Sequence, residues 1–377
     1  MSGLVISGMV VRRLPMTLSE PYAIAYQHIE RFENLVIEVH TVGGLCGLGV
    51  AAPDLEVTGE TVDGAEAALR DVVEPIVRGT DGAGCTRIVE AVRDALPHAP
   101  SVRAAIDMAL VDLVAKAAGV PAWRLLGGYR GSFPTSVTVG ILPMAETLAA
   151  IDRRVAEGFT IIKVKGGVDV ELDIERLHAI RGRFGPALEL RFDANCGYTR
   201  AEALHFAAMT ADVGIAIYEQ PVRREALQTL GDVALATGMS VMADESVMNA
   251  RDCFRLGQKA LGTASGLTEA NAAHEQTLVD MVNIKLMKVG GFEDAHQVSA
   301  VARAAGIESM VGCMDECELA IAGSLAFALS RRNVTAVDLD GHLDVLGDFS
   351  AGRCLTLSRG VLVPHDAPGF GIVRLDD

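Results

Sequence analysis

From Thr135 onward the chain alternates strand-like and helix-like stretches with a regularity that few folds can absorb. Strand-like runs fall near 135–141, 159–165, 188–193, 214–219, 240–244, 281–286, 308–312 and 335–339. Helical periodicity fills the gaps, for example Met144–Glu157, Glu171–Arg183 and Arg200–Ala211. Eight short strands separated by helices predict a closed parallel barrel, an α/β fold of the TIM type. The eighth strand runs into turn-rich sequence rather than a full helix. The expected architecture is therefore (β/α)7β, spanning 131–340.

The segment before the barrel has a different pattern. Residues 4–13 and 34–50 read as strands, the second broken into a hairpin at Gly43-Gly44, with a polar loop from Ser19 to Glu33 between them. Helical periodicity follows Thr58-Gly59-Glu60-Thr61, then recurs around 84–95 and 100–118. Strands followed by helices predict a small α+β domain over 1–130. The glycine-rich, strand-like tail 341–377 is expected to return to it.

Composition narrows the function classes. Half of the 377 residues are hydrophobic, enough for a large core, and the formal net charge is −16. So acidic a surface disfavours nucleic acid and anionic membranes as partners. No apolar run reaches the length of a membrane span, and Met1 to Arg13 lacks the pattern of a signal segment. Seven scattered cysteines fit a reducing cytoplasm better than a disulfide framework.

Chemistry enters at the strand ends. Strand three ends Phe192-Asp193-Ala194-Asn195, strand four Tyr218-Glu219-Gln220-Pro221 and strand five Ala243-Asp244-Glu245-Ser246. Asp193 and Glu219 are 26 residues apart, Glu219 and Asp244 25, about one βα unit each. A barrel places all three at the C-terminal rim, where its active sites lie. Three carboxylates gathered there repel one another unless a cation sits between them, and hard oxygen ligands suit one Mg2+. The plain alternative is three unrelated helix N-caps. Asn195 stands beside Asp193 as its support.

Strand two carries Ile161-Ile162-Lys163-Val164-Lys165-Gly166-Gly167. Period 2 puts Lys163 and Lys165 on one face, where mutual repulsion is expected to lower the pKa of at least one and make it a base. By themselves these residues describe a lysine-decorated edge strand equally well. Lys285, in Asn283-Ile284-Lys285-Leu286-Met287-Lys288, falls at strand six, across the barrel. A substrate on the metal would present one face to Lys165 and the other to Lys285. Lys288 is expected to point into the next turn, structural or solvated.

The series KxK, D-x-N, E-Q-P, D-E-S and N-I-K-L-M-K-x-G-G resembles the enolase superfamily, and within it the muconate-lactonizing subgroup. The resemblance covers nearly the whole chain, including Val57–Thr61 and Pro368–Gly371. It implies an α+β cap over the barrel, Mg2+ on Asp193, Glu219 and Asp244, and Lys165 and Lys285 as acid and base. The mandelate-racemase subgroup would have a histidine at the end of strand seven, where this chain has Cys313-Met314-Asp315-Glu316. The shared chemistry is proton abstraction beside a carboxylate, through an enediolate. Strand eight ends Val337-Asp338-Leu339-Asp340-Gly341, with Asp338 and Asp340 on one face, suited to a cationic group such as a free α-ammonium. A turn-initiating Asp pair is the alternative. The D-x-D, and Glu316 in Met-x-Glu, are similar to those of dipeptide epimerases of the L-Ala-D/L-Glu type. That resemblance implies epimerisation at the C-terminal residue of a dipeptide. o-Succinylbenzoate synthesis, N-acylamino acid racemisation and muconate cycloisomerisation are the alternatives on this scaffold.

Specificity is expected from the cap, with His28, Glu30, Arg31 and Thr58 as the substrate-reading candidates. Asp244 and Lys285 are 41 residues apart, and the surplus in 259–277 is expected to emerge on the N-terminal face, as a candidate subunit contact. The expected assembly is a homo-oligomer.

Overall fold

A computed structural model describes residues 2–24, 27–258 and 277–374. The surplus segment falls, apart from Thr277, outside the described residues.

The cap is a four-stranded antiparallel sheet under helices. Strands β1 (Ile6–Ile24) and β2 (Gln27–Thr41) form one long hairpin, and β3 (Cys46–Ala51) returns along β2 after the expected turn at Gly43-Gly44. The predicted Ser19–Glu33 loop is thus a correction. Its two sides pair, Tyr22 with Ile29 and Ile24 with Gln27, beyond a register shift after Thr17. Polar residues on the outer face hid the pairing, because only Ile29 of these four is fully buried.

The helix Pro100–Ala118 lies directly on β3. Gly47 and Gly49 make this approach possible: a Cβ at Gly49 would stand 2.0 Å from the Ala105 carbonyl oxygen, and one at Gly47 2.2 Å from that of Ala109. The Glu60 carboxylate accepts from the Ser101 and Val102 amides at the start of this helix. Farther along, Asp112 accepts from the Leu48 and Phe370 amides and pairs with Lys116. One buried carboxylate thus ties β3 to the tail.

After the short β4 (Phe133–Pro134) come the eight barrel strands: β5 (Val137–Val139), β6 (Ile161–Lys165), β7 (Glu189–Asp193), β8 (Ile215–Glu219), β9 (Val241–Ala243), β10 (Met281–Ile284), β11 (Glu308–Gly312) and β12 (Val334–Asp338). They lie in chain order and every pair is parallel. The seam between β12 and β5 closes through Ser136, whose amide donates to the Val337 carbonyl. Between the strands run helices such as Met144–Ala156, Val170–Phe184 and Glu318–Ser330, the last buried along its whole length.

Inside the barrel, period 2 builds two layers. Ile217, Met242, Met281, Met310 and Ala336 form an apolar plug. Two residues farther along β8, the β9 end and β12 stand Glu219, Asp244 and Asp338. The plug excludes water from below, so the polar layer opens only towards the cap.

The tail clasps both parts. β13 (Val345–Leu346) pairs with β1 at Thr17 and Leu18, while β14 (Leu355–Ser358) and β15 (Val361–Pro364) form a sheet with β4. Among the described residues no helix is long and apolar enough to cross a membrane.

Candidate active site

Asp193, Glu219 and Asp244 sit at the ends of neighbouring strands, each almost wholly buried. Asp193 Oδ2 lies 3.0 Å from Lys163 Nζ and 2.8 Å from Lys165 Nζ, while its Oδ1 accepts from the Asn195 amide. Glu219 Oε2 is 2.7 Å from Lys163 Nζ, and its Oε1 accepts from Asn283 Nδ2. Asp244 Oδ2 is 2.8 Å from Lys285 Nζ, and its Oδ1 is bound by Lys288. The loops behind these residues are tightly held. Gly167, at φ 94°, lets the turn after β6 rest on the turn after β7, where a Cβ would stand 2.0 Å from the Ala194 carbonyl oxygen. Asn195 and Gln220 take positive φ of 43° and 33°, a backbone cost typical of sites whose geometry matters.

The charges follow from burial and neighbours. Burial and Asp193 push Glu219 up to about 8. Burial would also raise Asp193 and Asp244, but Lys163 with Lys165, and Lys285 with Lys288, hold them below the usual carboxylate range. Burial would lower Lys163, but Asp193, Asp338 and Glu219 hold it well above the usual lysine range. The repulsion expected to lower the pKa of at least one of Lys163 and Lys165 does not do so at Lys163, where three carboxylates outweigh one ammonium.

Three oxygens are buried beside these carboxylates with no hydrogen-bond partner among the described residues: Asn195 Oδ1, Glu245 Oε2 and Asn283 Oδ1. A converging set of carboxylates with spare buried oxygens fits a hard divalent cation such as Mg2+. Glu245 was legible only as the second letter of D-E-S, and nothing in the sequence set it apart from a loop residue.

Lys288 takes the structural one of its two expected roles, but points inward rather than into the next turn. It is fully buried, and its ammonium donates to the Asp244 carboxylate, the Asp244 carbonyl at 2.6 Å and the Asn283 carbonyl at 2.9 Å. The short helix Leu286–Val289 turns it inward.

Above this floor lies a cavity lined by Lys163, Lys165, Lys285, Asn195, Glu245, Asp338 and Asp340, and on the cap side by Tyr22, Ile24, Gln27, Ile29, Asp54 and Val57. Asp338 Oδ2 is 2.8 Å from Lys163 Nζ and Oδ1 accepts from Ser136 Oγ. Asp340 accepts from the Thr138 amide, and burial and Asp338 push it up to about 6. No cation among the described residues pairs with it.

The specificity candidates fare differently. His28 and Arg31 are exposed and do not line the cavity; the alternation of β2 turns Gln27 and Ile29 inward instead. Thr58 is buried, and its hydroxyl donates to the Asp54 carbonyl, bracing the loop that carries Asp54 and Val57. Glu316 is buried behind the cavity wall: its Oε1 accepts from the Met314 amide, its Oε2 has no partner among the described residues, and burial pushes it up to about 8. Its neighbour Asp315 faces the cavity.

An α+β cap closing a (β/α)7β barrel whose successive strand ends carry carboxylates, with lysines on opposed strands, defines an enzyme of the enolase superfamily. Residues 6–127 match the mandelate racemase/muconate lactonizing enzyme N-terminal domain, and residues 146–377 match the enolase C-terminal domain-like family. The chain belongs to the mandelate racemase/muconate lactonizing enzyme family. It is 36% identical to an L-Lys-D/L-Arg epimerase of Desulforapulum autotrophicum over 96% of this chain and 97% of that protein. The substrate-liganded L-Ala-D/L-Glu epimerase of Bacillus subtilis superposes with a TM-score of 0.90, at 34% identity, covering 98% of each chain. A dipeptide epimerase of Methylococcus capsulatus, complexed with Mg and the dipeptide L-Arg-D-Lys, gives 0.89 at 36% identity, covering 98% of this chain and 99% of that one.

Proposed function

We propose that this protein is a Mg2+-dependent dipeptide epimerase that inverts the Cα of the C-terminal residue by 1,1-proton transfer. The observation that carries the reading is that Lys165 and Lys285, from β6 and from the end of β10, enter one cavity from opposed strands on either side of the buried carboxylates. Asp193, Glu219 and Asp244 would hold the metal. When bound, the metal supplies a Lewis acid for the negative charge that collects on the substrate carboxylate.

The rest falls to the chain's own side chains. One lysine takes the α-proton from its face, and the other delivers a proton from the opposite face, so the configuration inverts. Lys163, pinned between Asp193, Glu219 and Asp338, stays charged and adds fixed positive potential at the floor. The apolar plug below lowers the local dielectric, which strengthens each of these interactions. Asp340 is a buried carboxylate with no paired cation among the described residues, and a free α-ammonium meets that need. Acylated amino acids, succinylbenzoate precursors and muconate offer no such group, and this disfavours those reactions. Relatives named for Lys/Arg and for Ala/Glu substrates are similarly distant, so their names do not choose the side chains.

The test is incubation with Mg2+ and a panel of L,L-dipeptides in deuterated water, followed by proton NMR. Loss of the C-terminal α-proton signal with appearance of the L,D product is expected. No exchange in any dipeptide, with exchange in an N-acylamino acid, would overturn the reading.

A further inference from the structure

The dipeptide's side chains must lie against the cap side of the cavity, and the charge there has one sign. Among the described residues four cations line the cavity, Lys163, Lys165, Lys285 and Arg154, and all are committed. The lysines hold the metal-site carboxylates, and Arg154 is paired with Asp344 and Glu157. Two carboxylates on the cap side are left without any lysine or arginine partner among the described residues: Asp54 and Asp315.

Both are held in place by neutral donors. Asp54 Oδ1 accepts from the Glu56 and Val57 amides at 2.9 and 2.7 Å, and its Oδ2 has no hydrogen-bond partner among the described residues. Asp315 Oδ1 accepts from the Tyr22 hydroxyl at 2.9 Å, and its carbonyl from Asn34. The other Asp315 oxygen has no hydrogen-bond partner among the described residues. Asp315 is close enough to Asp54, Lys165 and Lys285 to feel all three charges. Asp315, Asp54 and the two lysines line the same cavity. Leu18, Ile24, Ile29 and Val57 supply apolar wall around the pair.

A methylene stem ending in a positive charge satisfies this arrangement throughout. The stem covers the apolar wall, and the head takes the free oxygens as charge-assisted hydrogen bonds. An acidic side chain would meet two like charges, and an aliphatic one would leave both carboxylates desolvated without a cation. Resting on the dipeptide-epimerase reading, we infer that Asp315 and Asp54 are specificity-determining residues that select a dipeptide with a cationic side chain, lysine or arginine.

The experiment compares kcat/KM for Cα exchange in L-Lys-L-Lys, L-Leu-L-Leu and L-Ala-L-Glu by the Mg2+-loaded enzyme and by Asp315→Asn and Asp54→Asn. The wild type is expected to favour Lys-Lys by about 100-fold or more over Ala-Glu, the scale of two charge-assisted contacts. In each variant the ratio of Lys-Lys to Leu-Leu should fall about tenfold, mainly through a higher KM for Lys-Lys. Preference for Ala-Glu or Leu-Leu in the wild type, or an unchanged ratio in both variants, overturns the inference and leaves the epimerase reading standing. No exchange in any of the three overturns the inference, and the wider dipeptide panel with its N-acylamino acid control then decides the epimerase reading.

Discussion

Replacing Lys288 with methionine tests how the floor of the site is held. Methionine keeps much of the side chain's length and removes the ammonium. That ammonium is fully buried and donates to the Asp244 carboxylate and to the Asp244 and Asn283 carbonyls. Breaking a buried ion pair from one side costs about 3–5 kcal/mol, and each buried carbonyl left without a donor about 1–3 kcal/mol. Two facts hold the sum down. Asp244 keeps Lys285 at 2.8 Å, so its charge is not left alone. Burial already pulls the Lys288 pKa down, so keeping its charge there has a cost that methionine removes. The net expectation is about 3 kcal/mol of destabilisation, a large share of the roughly 5–15 kcal/mol that folded proteins possess. The assay is urea unfolding of both proteins with chelator present, so that no metal compensates for the lost charge. A surface lysine would cost less than about 0.5 kcal/mol, and a value that small would refute the reasoning.

Lys165→Ala and Lys285→Ala should each lower epimerisation by about 10²–10⁴-fold while sparing α-proton exchange on one face. NMR in deuterated water would then show each variant exchanging only one of the L,L and L,D dipeptides; identical losses on both would argue against opposed bases. Asp107, a buried residue of the helix Pro100–Ala118 that accepts from the Glu293 amide, is pushed by burial up to about 7. Between about pH 4 and 7 the folded chain retains a proton there that the unfolded chain has released, so this group's contribution to stability fades as pH rises through that window. Asp107→Asn should flatten the decline in urea midpoint between pH 5 and 7.5, and an unchanged slope would assign that decline to other groups.

The barrel, the rim and the proposed reacting groups were legible along the chain because each is a local regularity. Strand spacing sets which rim a residue reaches, and period 2 sets which face, so Asp193, Glu219, Asp244, Lys165 and Lys285 follow from counting. Asp338 and Asp340 follow from the same parity.

What only the tertiary structure decided is which groups meet and which stay free. Whether Gln27 or His28 faces the substrate depends on a register shift in the β1–β2 hairpin, and one residue of slip exchanges the two faces. Whether Lys288 is solvated depends on the turn that the short helix after β10 makes. The sign of the Lys163 shift depends on carboxylates from β7, β8 and β12, all remote in sequence. Asp54 and Asp315 become neighbours only because the cap closes on the barrel. Sequence by itself determined the layer of strand-end carboxylates and lysines proposed for catalysis, since that layer is periodic. The cap side of the cavity is assembled from loops and a hairpin end, where no period exists and electrostatic partners are chosen by distance in space.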